Sequence, residues 1–173
     1  MQVLAISGSL RAASLNSMLL RATARLAPAS MNIRVYPSLG DIPLFNPDIE
    51  GSDPKPVRDL REAICASDAL IIASPEYAHG ITGVLKNALD WMVGTEAFVY
   101  KPVAIFNASP RSVHADAALR EVLTVMSATV IQDACIAIQI RGSQLDESGI
   151  ATDAERAPLI RSALDAILRE VRK

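Results

Sequence analysis

Four apolar residues, Val3-Leu4-Ala5-Ile6, run directly into Ser7-Gly8-Ser9-Leu10-Arg11-Ala12-Ala13-Ser14-Leu15-Asn16, and a helix-patterned segment follows. A strand that ends in glycine and small hydroxylic residues and then opens a helix makes an anion site. The first-turn N–H groups have no partner within the helix, and its positive dipole end points the same way. Ser7, Ser9, Ser14 and Asn16 add side-chain donors, and Arg11 brings a permanent charge suited to phosphate. The plain alternative is an ordinary strand–loop–helix in which Ser14 merely caps the helix.

Composition narrows what such a loop serves. The chain has 173 residues, about one domain, and half of them are apolar. Its longest apolar runs are far too short to span a membrane, and no basic segment precedes the first one, so no signal peptide is expected. A formal charge of −2 argues against non-specific nucleic-acid binding. It is also far from the strong acidity of a protein that docks electrostatically on redox partners. Cys65 and Cys135 each stand alone among apolar neighbours, which predicts two buried thiols and a reducing, cytoplasmic setting. The only two histidines, His79 and His114, lack metal-ligand spacing, so no metal centre is expected.

Short apolar strands alternate with amphipathic helices along the chain. Strands are predicted at Val3 to Ser7, Asn32 to Tyr36, Ala69 to Ser74, Pro102 to Ala108 and Val130 to Ile138. The first, third and fourth are apolar almost throughout, as strands covered on both faces should be. Helices are predicted at about Leu15–Leu26, Pro56–Ala66, Val84–Val93, Ala115–Ser127 and Asp153–Val171. Strict alternation implies a doubly wound five-stranded parallel sheet with helices on both faces. Right-handed crossovers favour the order 2-1-3-4-5. Ligands of such sheets sit beyond the carboxyl ends of the strands, at the switch between the first and third, where the Ser/Arg loop lies.

A second stretch begins where the third strand ends: Ser74-Pro75-Glu76-Tyr77-Ala78-His79-Gly80-Ile81-Thr82-Gly83-Val84-Leu85-Lys86-Asn87-Ala88-Leu89-Asp90-Trp91. Pro75 stops the ladder, Tyr77 offers an aromatic face, and Gly80 and Gly83 are read as letting backbone approach a flat ligand. With this stretch the sequence resembles the NADPH-dependent FMN reductase family of flavodoxin-like proteins, which includes quinone, azo-dye and chromate reductases. That family carries G-S-x-R-x-x-S-x-N after the first strand and P-E-Y-x-x-x-x-x-G-x-L-K-N-A-x-D-W after the third. Both occur here nearly intact, and the resemblance runs end to end, including Asp41-Ile42-Pro43-Leu44-Phe45.

The resemblance implies a single flavodoxin-like domain over residues 1–173, FMN as cofactor, and NADPH or NADH as co-substrate. Ser9, Arg11, Ser14, Leu15 and Asn16 would hold the FMN phosphate. Pro75, Glu76, Tyr77, His79 and Gly80 would follow the ribityl chain and the ring. Glu76 is expected to contribute loop geometry, because a carboxylate beside a reduced, anionic flavin opposes reduction. After the fourth strand the chain departs from the family's glycine-rich turn, with Asn107-Ala108-Ser109-Pro110-Arg111-Ser112-Val113-His114 in its place. Ser109 is still expected at the flavin edge. Arg111 either pairs with a phosphate of NADPH or an anionic substrate, or stands in water. Asn46, in the long segment after the second strand, is expected to wall the substrate side or a subunit contact.

The implied activity is transfer of electrons from NAD(P)H through FMN to a quinone, flavin, azo dye or metal oxyanion. A flavodoxin-type electron carrier is the alternative, against which Arg11 and the near-neutral charge both weigh. A phosphatase on the same sheet order would need a cysteine in the first loop, and none is there. Leu85, Leu89, Trp91 and Met92 lie at helical spacing and read as core or subunit contact. Together with the resemblance they predict a homodimer or homotetramer.

Overall fold

A computed structural model describes residues 1–173. Its strands are β1 (Gln2–Ser7), β2 (Asn32–Val35), β3 (Ala69–Ala73), β4 (Pro102–Asn107), β5 (Thr129–Val130) and β6 (Ile136–Ala137). They form one parallel sheet in the order β2-β1-β3-β4-β5, with β6 also paired to β4. The helices are α1 (Leu15–Arg25), α2 (Pro47–Glu50), α3 (Lys55–Cys65), α4 (Gly83–Val93), α5 (Val113–Val125), α6 (Glu147–Thr152) and α7 (Arg156–Val171). None is long and apolar enough to cross a membrane.

The period-two alternation of the strands divides the core into two layers. Val3, Ala5, Ile71, Ala73, Ala104 and Phe106 point to one face and pack with Leu19, Leu20, Ile160, Leu164 and Ile167 from α1 and α7. Leu4, Ile6, Leu70, Ile72, Val103 and Ile105 point to the other and meet Leu60, Ile64, Leu85, Leu89, Leu119 and Leu123 from α3, α4 and α5. Each layer holds 22 buried residues, so both faces of the sheet are covered equally. That is why the central strands are continuously apolar.

The predicted fifth strand, Val130–Ile138, is not continuous. Val103 and Phe106, three residues apart on β4, pair with Val130 and Ile136, six apart. The extra residues leave the ladder as a 3₁₀ turn over Gln132–Ala134. Gln132 and Asp133 are poor strand formers, and their polar side chains turn outward while Ala134 is fully buried. The break leaves the Ile105 N–H without a strand partner, and it donates to Cys135 Sγ at 3.4 Å. The thiol in turn donates to the Ile131 carbonyl. Cys135 is thus half-buried and structurally engaged, while Cys65 is exposed, so neither thiol is fully buried as expected.

The sequence reading also missed α2 and α6. α6 docks on α1, where Arg21 pairs with Glu147 and Arg25 Nη1 donates to Ser148 Oγ at 3.0 Å. Leu85, Leu89, Trp91 and Met92 are all buried within the monomer, and of α4's large apolar side chains Val93 at its end is the one that stands exposed. The expected subunit contact through those residues is corrected accordingly.

Candidate active site

Three loops meet at the carboxyl ends of β1, β3 and β4 and enclose an open crevice of about 620 Å³. The first follows β1. Gly8 is required there by close approach: a Cβ at this position would lie 2.8 Å from Ser74 Oγ. The Gly8 carbonyl accepts from Thr82 Oγ1 at 2.5 Å, which ties the loop to the residue that caps α4. Ser14 is the N-cap of α1 and accepts from the Ser17 N–H at 3.2 Å, which leaves its own hydroxyl proton free to donate. The backbone N–H groups of Ala12, Ala13, Leu15 and Asn16 find no acceptor within the chain. Arg11 is exposed and enters no ion pair. A helix N-terminus with free donors, a free hydroxyl and an unpaired cation is complementary to a dianion.

Asn16 is buried, and its Oδ1 accepts from the Ala108 N–H at 3.0 Å. It therefore joins the first loop to the one after β4. In that third loop Asn107 Oδ1 accepts from Ser109 N–H, and Ser109 Oγ accepts from Arg111 N–H. These short-range bonds fold residues 107–112 into a tight turn that contains no glycine.

The second loop follows β3. Tyr77 and Gly80 exchange both backbone hydrogen bonds at 3.1 Å, closing a two-residue turn with Ala78 and His79 at its tip. Both tip residues have positive φ, 50° and 60°. The left-handed positions thus fall on Ala78 and His79, while a Cβ would be accommodated at Gly80 and Gly83. Neither glycine is demanded by the chain's own packing, and the open space beside both is what approach to a flat ligand would use. Tyr77 stands 59 % exposed over the crevice. Glu76 turns its carboxylate toward α5, where Oε2 accepts from the His114 and Ala115 N–H groups, both at 2.9 Å. Ser112, the N-cap of α5, contributes no side-chain bond, so Glu76 does the capping from another loop. The Ala115 and His114 N–H groups hold its carboxyl below the ordinary carboxylate range.

Of the residues singled out from the sequence, Ser9, Arg11, Ser14, Leu15, Asn16, Pro75, Glu76, Tyr77 and Ser109 line this one crevice. His79 and Gly80 lie beside it in the turn and do not line it. Arg111 is exposed outside it, and Asn46 does not line it either, its Oδ1 capping α2 through the Asp48 N–H. The lining also includes Ala13, Asn107, Ala108, Ser112 and Arg141. Arg141 went unnoticed because it follows the broken β5–β6 segment, whose course periodicity does not fix. A cleft of similar size near Arg34, Tyr36 and Asp41 has no such set of free donors, and its Lys55 and Asp59 pair with each other.

Asn87 and Trp91 of the second motif face away from the crevice. Asn87 Oδ1 accepts from Phe45 N–H at 2.7 Å and its Nδ2 donates to the Pro43 carbonyl at 2.9 Å. Trp91 Nε1 donates to the same carbonyl at 2.8 Å, and its ring meets Phe45 edge-on. The motif therefore fastens the long segment after β2 onto α4.

A doubly wound sheet with an anion-ready loop at its switch point defines a nucleotide- or flavin-type binding protein. The family model for NADPH-dependent FMN reductase matches residues 1–141, and the chain belongs to that family. It is 35% identical over 178 residues to the NAD(P)H-dependent FMN reductase PA1204 of Pseudomonas aeruginosa, covering 99% of this chain and 96% of that protein. It is 39% identical over 113 residues to a quinone reductase of Escherichia coli K12, an alignment spanning 63% of this chain and 60% of the relative. Among solved structures, the flavoenzyme NAD(P)H:(acceptor) oxidoreductase FerB of Paracoccus denitrificans superposes with a TM-score of 0.89. It is 28% identical and is covered over 97% of its length, against 99% of this chain. An archaeal flavodoxin, 14% identical with a TM-score of 0.67 and covered end to end, shares the fold.

Proposed function

We propose that this protein is an FMN-dependent oxidoreductase that takes electrons from NADPH or NADH and passes them to a quinone or another small acceptor. The observation that carries the reading is the coincidence, in one crevice, of the unpaired Arg11, four free N–H groups and the exposed Tyr77. These residues fit FMN: the first loop matches its phosphate, and Pro75, Glu76 and Tyr77 offer backbone and an aromatic face to its ring. Bound FMN would supply the two-electron redox chemistry, so no side chain need act as nucleophile or acid. Ser9 and Ser14 would donate to the phosphate beside the Arg11 charge, and Asn16 would hold the first and third loops at a fixed spacing. Glu76 lines the crevice, yet its charge is engaged by α5, which keeps a bare carboxylate away from the ring. Arg141, which lines the crevice where Arg111 does not, would meet an anionic group of the coenzyme.

The same reading proposes a cytoplasmic protein that self-associates as a homodimer or homotetramer. Association would use four of the exposed apolar residues, Leu44, Phe45, Ile49 and Val93, with the segment near Asn46 and Asp48 at the subunit contact. The test is the visible spectrum of the purified protein, followed by anaerobic NADPH titration and then addition of a quinone. Bleaching by NADPH without an added reductase, and recovery with the quinone, is the expected result. A flavin that binds but stays oxidised under NADPH and NADH would instead make the protein an electron carrier.

A further inference from the structure

Two histidines far apart in sequence meet at the edge of the crevice. His79 sits at the tip of the turn after β3, and His114 stands in the first turn of α5; their rings lie edge to face with centroids 4.2 Å apart. Glu76 joins them, its Oε1 3.3 Å from His79 Nδ1. One ligand atom from each of the three lies within 4.8 Å of the others. Spacing in the sequence hides this cluster, because the residues come from different loops brought together by the parallel sheet.

The geometry points to a binding site for a late first-row divalent cation, of the Ni²⁺, Cu²⁺ or Zn²⁺ class, formed by Glu76, His79 and His114. Two ligands about 2.1 Å from one metal, at tetrahedral or octahedral angles, lie about 3.0–3.4 Å apart. The Glu76–His79 separation already meets that requirement, and His114, exposed on α5, closes the remaining gap by side-chain rotation. Imidazole nitrogen with one carboxylate oxygen is a donor set for such metals rather than for Mg²⁺ or Ca²⁺. The carboxylate is oriented from behind: Oε2 is spent on two α5 N–H groups, which aims Oε1 at the histidines. His79 is held by a backbone closed with two hydrogen bonds and locked at positive φ. A cation here would cross-link the Tyr77 turn to the start of α5, joining two of the loops that bound the crevice. It would keep open coordination positions toward solvent. The site does not depend on the flavin reading.

The chain's two-histidine content makes the test clean, provided the protein carries no affinity tag. Calorimetric titration of NiCl₂ into the protein as isolated, in a Cys65→Ser background that removes the exposed thiol, should show one ion per chain. His79→Ala and His114→Ala should each weaken binding at least tenfold. Each variant keeps the backbone N–H that its fold uses, since Glu76 is held by the peptide of His114 and not by its ring. Nickel should also raise the thermal midpoint of the Cys65→Ser protein and leave that of either histidine variant unchanged. With Cu²⁺, electron paramagnetic resonance should report two coupled nitrogens. Unchanged nickel affinity in either histidine variant, a single copper-bound nitrogen, or no binding at millimolar nickel would each overturn the proposal.

Discussion

Arg11 is the residue on which cofactor affinity should depend most. It is the cation of the first loop and has no carboxylate partner to be freed from, so its whole charge is available to a phosphate. Charge-assisted hydrogen bonds of this kind contribute about 1.5–3 kcal/mol, and exposure places Arg11 toward the lower end. Arg11→Ala should weaken FMN binding about tenfold, and riboflavin, which lacks the phosphate, should bind both forms alike. Fluorescence titration of apoprotein measures both; equal FMN dissociation constants would remove the loop from the site. A second contrast separates the two arginines of the other loops. Arg141→Ala should lower kcat/KM for NADPH several-fold, whereas Arg111→Ala, outside the crevice, should change neither coenzyme's value. The reverse pattern would return the coenzyme contact to Arg111. Most of the crevice was legible because Ser9 to Asn16 and Pro75 to Tyr77 flank strands whose apolar runs are unmistakable. Arg141 was not, and neither was the Glu76–His79–His114 meeting, since both depend on how separate loops turn after leaving the sheet.

Between elements, the longest irregular connection is held by side chains of α4. Asn87 satisfies three backbone groups of residues 42–45, one of them at 3.5 Å, and Trp91 satisfies the Pro43 carbonyl a second time. Asn87→Ala leaves the Phe45 N–H and the Ile42 carbonyl without protein partners, and since the first is exposed to water the cost should be about 0.5–1.5 kcal/mol. Urea unfolding should show that loss, with the slope unchanged if the denatured state is unaffected. A midpoint equal to that of the parent would mean that water replaces the amide at no cost. The sequence pattern located Asn87 and Trp91 on a helix without revealing that they face a loop over forty residues earlier. Strands β1, β3 and β4 could be drawn from sequence because both their faces are buried and they are apolar almost throughout. The edge strand defeated the same reasoning: Val130–Ile138 is apolar enough to pass as one strand, yet Gln132 and Asp133 carry the chain out of the ladder and back. α6 escaped for a different reason, being a single short helix held by one buried side chain, Ile150, and an ion pair to α1 and not by an apolar stripe.

At the scale of the whole molecule, acid should loosen the fold through specific carboxyls. Asp53 is held below the ordinary aspartate range first by its hydrogen bond from Arg61, and Asp153 first by the Arg156 N–H. Unfolded, both groups return to a pKa of about 3.9. The unfolded chain therefore binds protons more readily, and the stabilisation is complete above that value and disappears as pH falls through the lower folded pKa. Thermal midpoints should be flat from neutral pH to about 5 and decline below about 4, and Asp153→Asn should shallow the decline. A parallel decline in that variant would assign the effect elsewhere. Association is the remaining property of the whole. With α4's large side chains buried, one group of exposed apolar residues lies near its C-terminal end. Phe45 packs on Trp91 beside the exposed Leu44, Glu50 of α2 reaches Gly94, and Ile49 and Val93 flank them. Leu44 is 82 % exposed and is the most exposed apolar side chain of this group. Burying two such side chains on each partner contributes about 1.5–3 kcal/mol apiece, enough to matter at micromolar concentration. Light scattering should therefore give a dimer or tetramer, and the pair Leu44→Ser with Val93→Ser should shift it toward monomer while leaving FMN affinity intact, since neither residue lines the crevice. A wild-type monomer at micromolar concentration with full turnover would leave this patch without a partner copy.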